Sequence, residues 1–130
     1  MSVRLVLDTS ALIAYIAEDM RSLQVGELIA SVDENEDQCG IPALCLLAAC
    51  KQVEAASMAK LLELAEDEEG PTVVLPLLAG DVREVAAHSV LLPDDRAQAA
   101  SETLKHGAML GTYERSAYAK AIDDHDILDL

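Results

Sequence analysis

Short apolar runs recur along this chain, and each is followed by a segment with helical spacing. VRLVL (3–7), QCGI (38–41), TVVLP (72–76) and AMLGT (108–112) lack the strict polar–apolar alternation of a strand with one wet face. A strand that reads as a continuous apolar run is buried on both faces, and parallel sheets flanked by helices are where such strands occur. The expectation is therefore an α/β fold: a three-layer α/β/α sandwich with a parallel four- to five-stranded sheet. With 130 residues and no linker or internal repeat, it forms a single domain, 1–130.

Between these runs the spacing predicts helices over 10–17, 22–33, 42–56, 57–69, 79–88 and 93–106. The hydroxyl of Thr9 or Ser10 is placed to cap the first helix. In the second, Leu23, Leu28 and Ile29 carry the apolar side, extended by Val25 and Val32. Pro42 and Pro93 suit first helical positions, where a missing N–H costs nothing. Gly70-Pro71 stops the fourth helix. ERSAYAKA (114–121) reads as a short helix or turn, and DILDL (126–130) as a last edge strand.

Charge limits the partners. Twenty-four acids against nine bases give a formal net charge of −15, which opposes diffuse binding to a polyphosphate. Contact with a nucleic acid would have to be local, through a few basic residues or through metal ions held by acids. The runs DENED (33–37), EDEE (66–69) and DDHD (123–126) suit solvated loops and helix ends, or an acidic face for a basic partner. No stretch is long and apolar enough for a membrane span, and the chain opens on a strand; a cytoplasmic protein is expected. Cys39, Cys45 and Cys50 form no CxxC pair and suit small buried apolar positions.

In doubly wound sheets ligands collect outside the carboxyl ends of the strands. Asp8 directly follows VRLVL, Asp95 lies in the first turn of the helix that begins at Pro93, and Glu114 comes two residues after AMLGT. Three carboxylates from distant parts of the sequence are thus expected on one edge of the sheet. Acids held that close repel one another unless a cation lies between them, and Mg²⁺ or Mn²⁺, hard ions that prefer oxygen ligands, suit the position.

LVLDTSALIAYI resembles the opening strand and helix of PIN domains, the fold of the toxin ribonucleases of bacterial toxin–antitoxin pairs of the VapC type. The resemblance continues through IPALCLLAA, TVVLPL and DRAQAASETLKHGAMLGTYE, in the same order and over nearly the whole chain. It implies a parallel sheet of four or five strands, commonly a homodimer, and an antitoxin-like protein partner. It also implies Mg²⁺ or Mn²⁺ held by three or four acids that cut RNA. Asp8 matches the first acid of that site, with Ser10 the small hydroxyl beside it. Asp95 matches the third acid, and Glu114 stands where a fourth, usually Asp, is expected. As catalytic and metal-binding residues these three would be oriented by Ser10 and Thr112, while Arg96 and Arg115, each next to a site acid, would grip substrate phosphates.

One acid is missing. Where PIN domains carry a glutamate early in the third helix, this chain has Ala48. Lys51 and Gln52 follow three and four positions on, and Glu54, six positions on, is rotated off that face. Lys51 is a candidate to place its ammonium in the acidic pocket in place of metal. His88, His106 and His125 lack partners at metal-ligand spacing, no phosphate-binding glycine loop or GxSxG elbow occurs, and Tyr15, Tyr113 and Tyr118 suit core packing or a dimer contact better than base stacking. Two functions follow: a metal-dependent endoribonuclease with an incomplete acidic site, or a PIN-like domain that has lost catalysis and works as a protein-binding or scaffold module.

Overall fold

The computed structural model describes residues 2–130, among which five strands and six α-helices alternate. The strands are β1 (Val3–Leu7), β2 (Gln38–Pro42), β3 (Thr72–Leu75), β4 (Met109–Thr112) and β5 (Ile127–Asp129). They form one sheet in the order β3-β2-β1-β4-β5, and every neighbouring pair is parallel. The helices are α1 (Thr9–Tyr15), α2 (Met20–Glu34), α3 (Ala43–Gln52), α4 (Ala55–Glu66), α5 (Val82–His88) and α6 (Asp94–His106). From β1 the chain steps outward to β2 and β3, then returns to the other side of β1 for β4 and β5. The reversal places a crevice between the carboxyl ends of β1 and β4.

Both faces of the sheet are covered, which accounts for the continuous apolar runs. Leu5, Val6 and Leu7 of β1 are all buried, as are Cys39 and Ile41 of β2 and Leu110 of β4. α6 packs on β1, β2 and β4, while α2 packs on β2 and α4 on β3. Without Phe or Trp, close packing falls to aliphatic side chains, to glycine and to one fully buried aromatic ring, Tyr118. A Cβ on Gly40 would lie 2.6 Å from Leu75 Cδ1, so the side chains of Leu75 and Val3 close over the space that this glycine leaves.

Several elements differ from their expected form. The cap of α1 is neither Thr9 nor Ser10 but Asp8, whose Oδ1 accepts the Ala11 N–H at 3.1 Å. In α2, which starts at Met20 and is capped by Asp19, the buried residues are Val25 and Ile29, whereas Leu23 is 60% exposed: at about 100° per residue it lies on the side of the helix roughly opposite both. Pro42 and Pro93 stand one residue before their helices as caps, with extended ψ, instead of in the first turn. The third helix stops at Gln52, earlier than expected, because Val53 and Glu54 adopt extended backbone before α4 begins. ERSAYAKA forms a 3₁₀ turn over Arg115–Tyr118. α6 ends on Gly107, whose φ of 59° is the left-handed conformation that glycine tolerates without strain.

One buried polar side chain joins the layers. Gln98, in the middle of α6, is fully buried; its Oε1 accepts the Leu44 N–H at the start of α3, and its Nε2 donates to the Leu75 carbonyl at the end of β3. Gln98→Ala leaves two backbone groups without partners and opens a void, so it should cost about 2–4 kcal/mol, read as a lower urea midpoint with an unchanged m-value. A second expectation concerns pH. Burial, with the charge of Asp33 adding to it, pushes the Cys39 thiol from 9.0 up to about 12. The unfolded chain ionises this thiol first, so its contribution to stability is full below about pH 9 and is lost as pH rises toward 12. Urea midpoints should fall from about pH 9 upward, and Cys39→Ala, although weaker near neutrality, should flatten that fall.

Candidate functional site

Asp8 is 0% exposed, and a carboxylate taken that far from water must have all its oxygens satisfied. It receives four donors. On Oδ1 these are the Ala11 N–H that starts α1 and the Ser10 hydroxyl, at 3.1 and 2.6 Å; on Oδ2 they are the hydroxyls of Thr112 and Tyr118, at 2.7 and 2.8 Å. A carboxylate offers about four lone-pair sites, so Asp8 is saturated by its own chain. The donors come from three places: α1, the end of β4 and the turn after it.

The hydroxyls on Asp8 are themselves held. Ser10 Oγ accepts the Tyr113 N–H at 3.0 Å, and Thr112 Oγ1 accepts the Glu114 N–H at 2.9 Å. Ser10 and Thr112, expected to orient carboxylates, both point their hydroxyls at Asp8. Asp95 reaches the same region from α6: its Oδ2 accepts the Thr9 hydroxyl at 2.5 Å, and its backbone carbonyl accepts the Cys45 thiol at 3.1 Å. Burial first, and then the charges of Asp8 and Asp95, push that thiol far above its usual range. The Tyr118 hydroxyl is raised strongly too, by burial and then by the charge of Asp8, with Arg96 working slightly in the opposite direction.

Glu114 is engaged elsewhere. Its carboxylate pairs with the Arg96 guanidinium across the gap between the end of β4 and the first turn of α6. Arg115 turns away to Asp124, donating to its carboxylate and its backbone carbonyl. Lys51, the expected ammonium in the pocket, is exposed in the last turn of α3; the cation that reaches one of the three acids, Glu114, is Arg96. Ala48 is half-buried on α3, and no acid takes its place. Thr9 and Tyr118 were not expected at the site. Thr9 stands inside the DTS string and gave a local signal; Tyr118 gave none, since its partner is 110 residues away.

Do these residues suit a divalent ion? Asp8 has no lone pair to spare, Asp95 is engaged by Thr9, and Glu114 is neutralised by Arg96. Among the described residues no three His, Cys, Asp or Glu side chains gather closely enough to hold a metal, and no buried side-chain oxygen or nitrogen is left without a partner. The donor set does not fit Mg²⁺ or Mn²⁺ in this arrangement. A groove of about 570 Å³ lies where the end of α1 faces α4, lined by Tyr15, Ser22, Lys60, Leu64 and Asp67 among others, and includes none of the three acids.

The architecture has a counterpart among solved structures. A chain of the VapBC2 crystal structure from Rickettsia felis, bound to a DNA fragment from its promoter, matches with a TM-score of 0.66 at 10% identity. The match covers 92% of this chain and 93% of that one. No protein-family model and no curated protein matches the sequence. The likeness establishes the fold: a PIN-like α/β/α sandwich with a five-stranded parallel sheet. Among the described residues no helix is long and apolar enough to cross a membrane.

The hydrogen-bond inventory ranks two substitutions. In Asp8→Asn, an amide facing Thr112 and Tyr118 forces both hydroxyls to reverse, and one facing Ala11 meets an N–H that cannot. Thermal and urea unfolding should show a loss of roughly 2–3 kcal/mol. Tyr118→Phe removes one donor of four and should cost less, about 1–2 kcal/mol. Equal stability of all three proteins would refute the account of Asp8 as a buried, saturated carboxylate.

Proposed function

We propose that this chain is a PIN-like domain of the toxin–antitoxin type that works by binding a protein partner and does not hydrolyse RNA. The observation that carries this reading is the closed state of Asp8: the residue matching the family's first acid is fully buried, and all its acceptor capacity is spent inside the chain. The absence of an acid at Ala48 and the Arg96–Glu114 pair support it. A net charge of −15 favours a basic protein partner over RNA. An antitoxin-like chain rich in Lys and Arg is the simplest candidate, consistent with the architecture shared with VapBC2. A homodimer, which the resemblance implies, would bring two strongly negative chains together and gains nothing from that charge.

A second reading, Mg²⁺- or Mn²⁺-dependent RNA cleavage, is favoured by one feature. Asp8 and Asp95 flank Thr9 at the switch-point crevice, where ligands of doubly wound sheets bind. That reading needs Asp8, Asp95 and Glu114 freed from their present partners as metal ligands, with Arg96 and Arg115 turned to phosphate. Labelled single-stranded and structured RNA, incubated with the purified chain in Mg²⁺ or Mn²⁺, separates the two. The expected outcome is no cleavage above that seen with Asp8→Asn and Asp95→Asn. Cleavage by the unsubstituted chain that both variants lose would establish the hydrolase and overturn the binding reading.

A further inference from the structure

A helix carries partial negative charge at its carboxyl end, so bases are favoured there and acids disfavoured. α6 obeys this rule, with Asp94 and Asp95 in its first turn and Lys105 and His106 in its last. The carboxyl ends of α2 and α4 reverse it, and neither helix has a base in its last turn. α2 closes on Asp33 and Glu34, with Glu36 just beyond. α4 carries Glu63 and Glu66 at its end and runs on into Asp67, Glu68 and Glu69. All eight acids are exposed, and among the described residues none of them forms an ion pair. Carbonyls at these ends are met by neutral donors, Asn35 Nδ2 on Ser31 and Thr72 Oγ1 on Leu64. Positive charge to spare is scarce: Arg4, Arg21, Arg96, Lys105 and Arg115 are already paired, which leaves Lys51, Lys60, Arg83 and Lys120 for all the remaining acids. The loops after α2 and α4 lead into the amino ends of β2 and β3, the edge of the sheet opposite the crevice.

We propose that this edge is built to respond to ionic strength: the carboxyl ends of α2 and α4, with the loops after them, loosen in dilute salt and close when cations of the medium screen their acids, while α6 and the crevice hold throughout. Screening acts in both directions, and the balance fixes the sign. Salt weakens the Arg4–Asp37 pair at this edge, but that pair is exposed and contributes little. Against it stand the acids in the two last turns, each disfavouring its helix end roughly two- to fivefold at low ionic strength, with like charges following directly behind. Repulsion wins, so order at this edge rises with salt. The screening length falls from about 30 Å at 0.01 M to about 3 Å at 1 M, and the change completes within that range.

Backbone NMR of the full chain in 0.01 M and 1 M KCl reads each segment through its amide exchange and Cα shifts. In dilute salt, amides over 31–36 and 63–69 should exchange several-fold faster, with Cα shifts moving toward coil, while those over 97–103 hold. Glu66→Lys should flatten the response of 63–69 and leave 31–36 responsive. Glu84→Lys makes the same change in net charge in the first turn of α5 and should leave both segments responsive. Sucrose in dilute salt favours compact states without screening, so it should not restore the two ends selectively. The proposal is overturned if neither end responds to KCl, if α6 responds as they do, or if Glu66→Lys keeps the full response of 63–69. It is equally overturned if Glu84→Lys flattens that response, or if sucrose restores the ends as KCl does. Should Glu66→Lys not fold, Glu66→Gln takes its place with a smaller effect in the same direction. None of these readings involves a partner or RNA, so their failure leaves the proposed function standing, and RNA cleavage by the unsubstituted chain leaves this inference standing.

Discussion

The architecture around the crevice depends on keeping one charge out of water. An isolated carboxylate transferred to the interior of a protein costs many kilocalories per mole unless donors replace its hydration. Asp8 obtains that replacement from the start of α1, from Thr112 at the end of β4 and from Tyr118 beyond it. Each of these elements is therefore held in position by the same two oxygens. The short loop between β1 and α1, the neighbouring strand and the turn after it become one unit because none can shift without uncovering an anion.

A metal site makes the opposite demand on a carboxylate. Its oxygens must be left partly free, aimed at a common point and shared with other acids. Around this crevice the acids are divided: Asp8 belongs to hydroxyls, Asp95 to Thr9 and Glu114 to Arg96. Position 48, an alanine half-buried on α3, adds no further acid to this arrangement.

The strands were legible because burial on both faces leaves an unambiguous mark: VRLVL, QCGI and TVVLP needed nothing beyond their composition. Helix existence was legible as well, since each apolar stripe had a break or cap at its ends. Details that depend on tertiary contact were not. Leu23 and the Val25–Ile29 stripe lie on roughly opposite sides of α2, and which side is buried depends on what the helix packs against. Asp8 as a cap could have been weighed against Thr9 and Ser10, because aspartate caps helices as well as they do. Gln98 and Tyr118 left no trace in local sequence: a glutamine in an alanine-rich helix and a tyrosine in a turn acquire meaning only from partners brought close by folding. The acids were visible as candidates, whereas their separate partners, hydroxyls on Asp8, Thr9 on Asp95 and Arg96 on Glu114, were not.

The Tyr118 contact also ties the end of the chain to its beginning. The segment beyond Thr112, including the outermost strand β5, is held by its pairing with β4, by the buried side chains of Tyr118, Ile122 and Ile127, and by bonds from Tyr113 and Tyr118 to the start of the chain. Peeling that segment away takes one of its four donors from Asp8 and bares the edge of β4, so a disturbance at the terminus is felt at the end of the central strand.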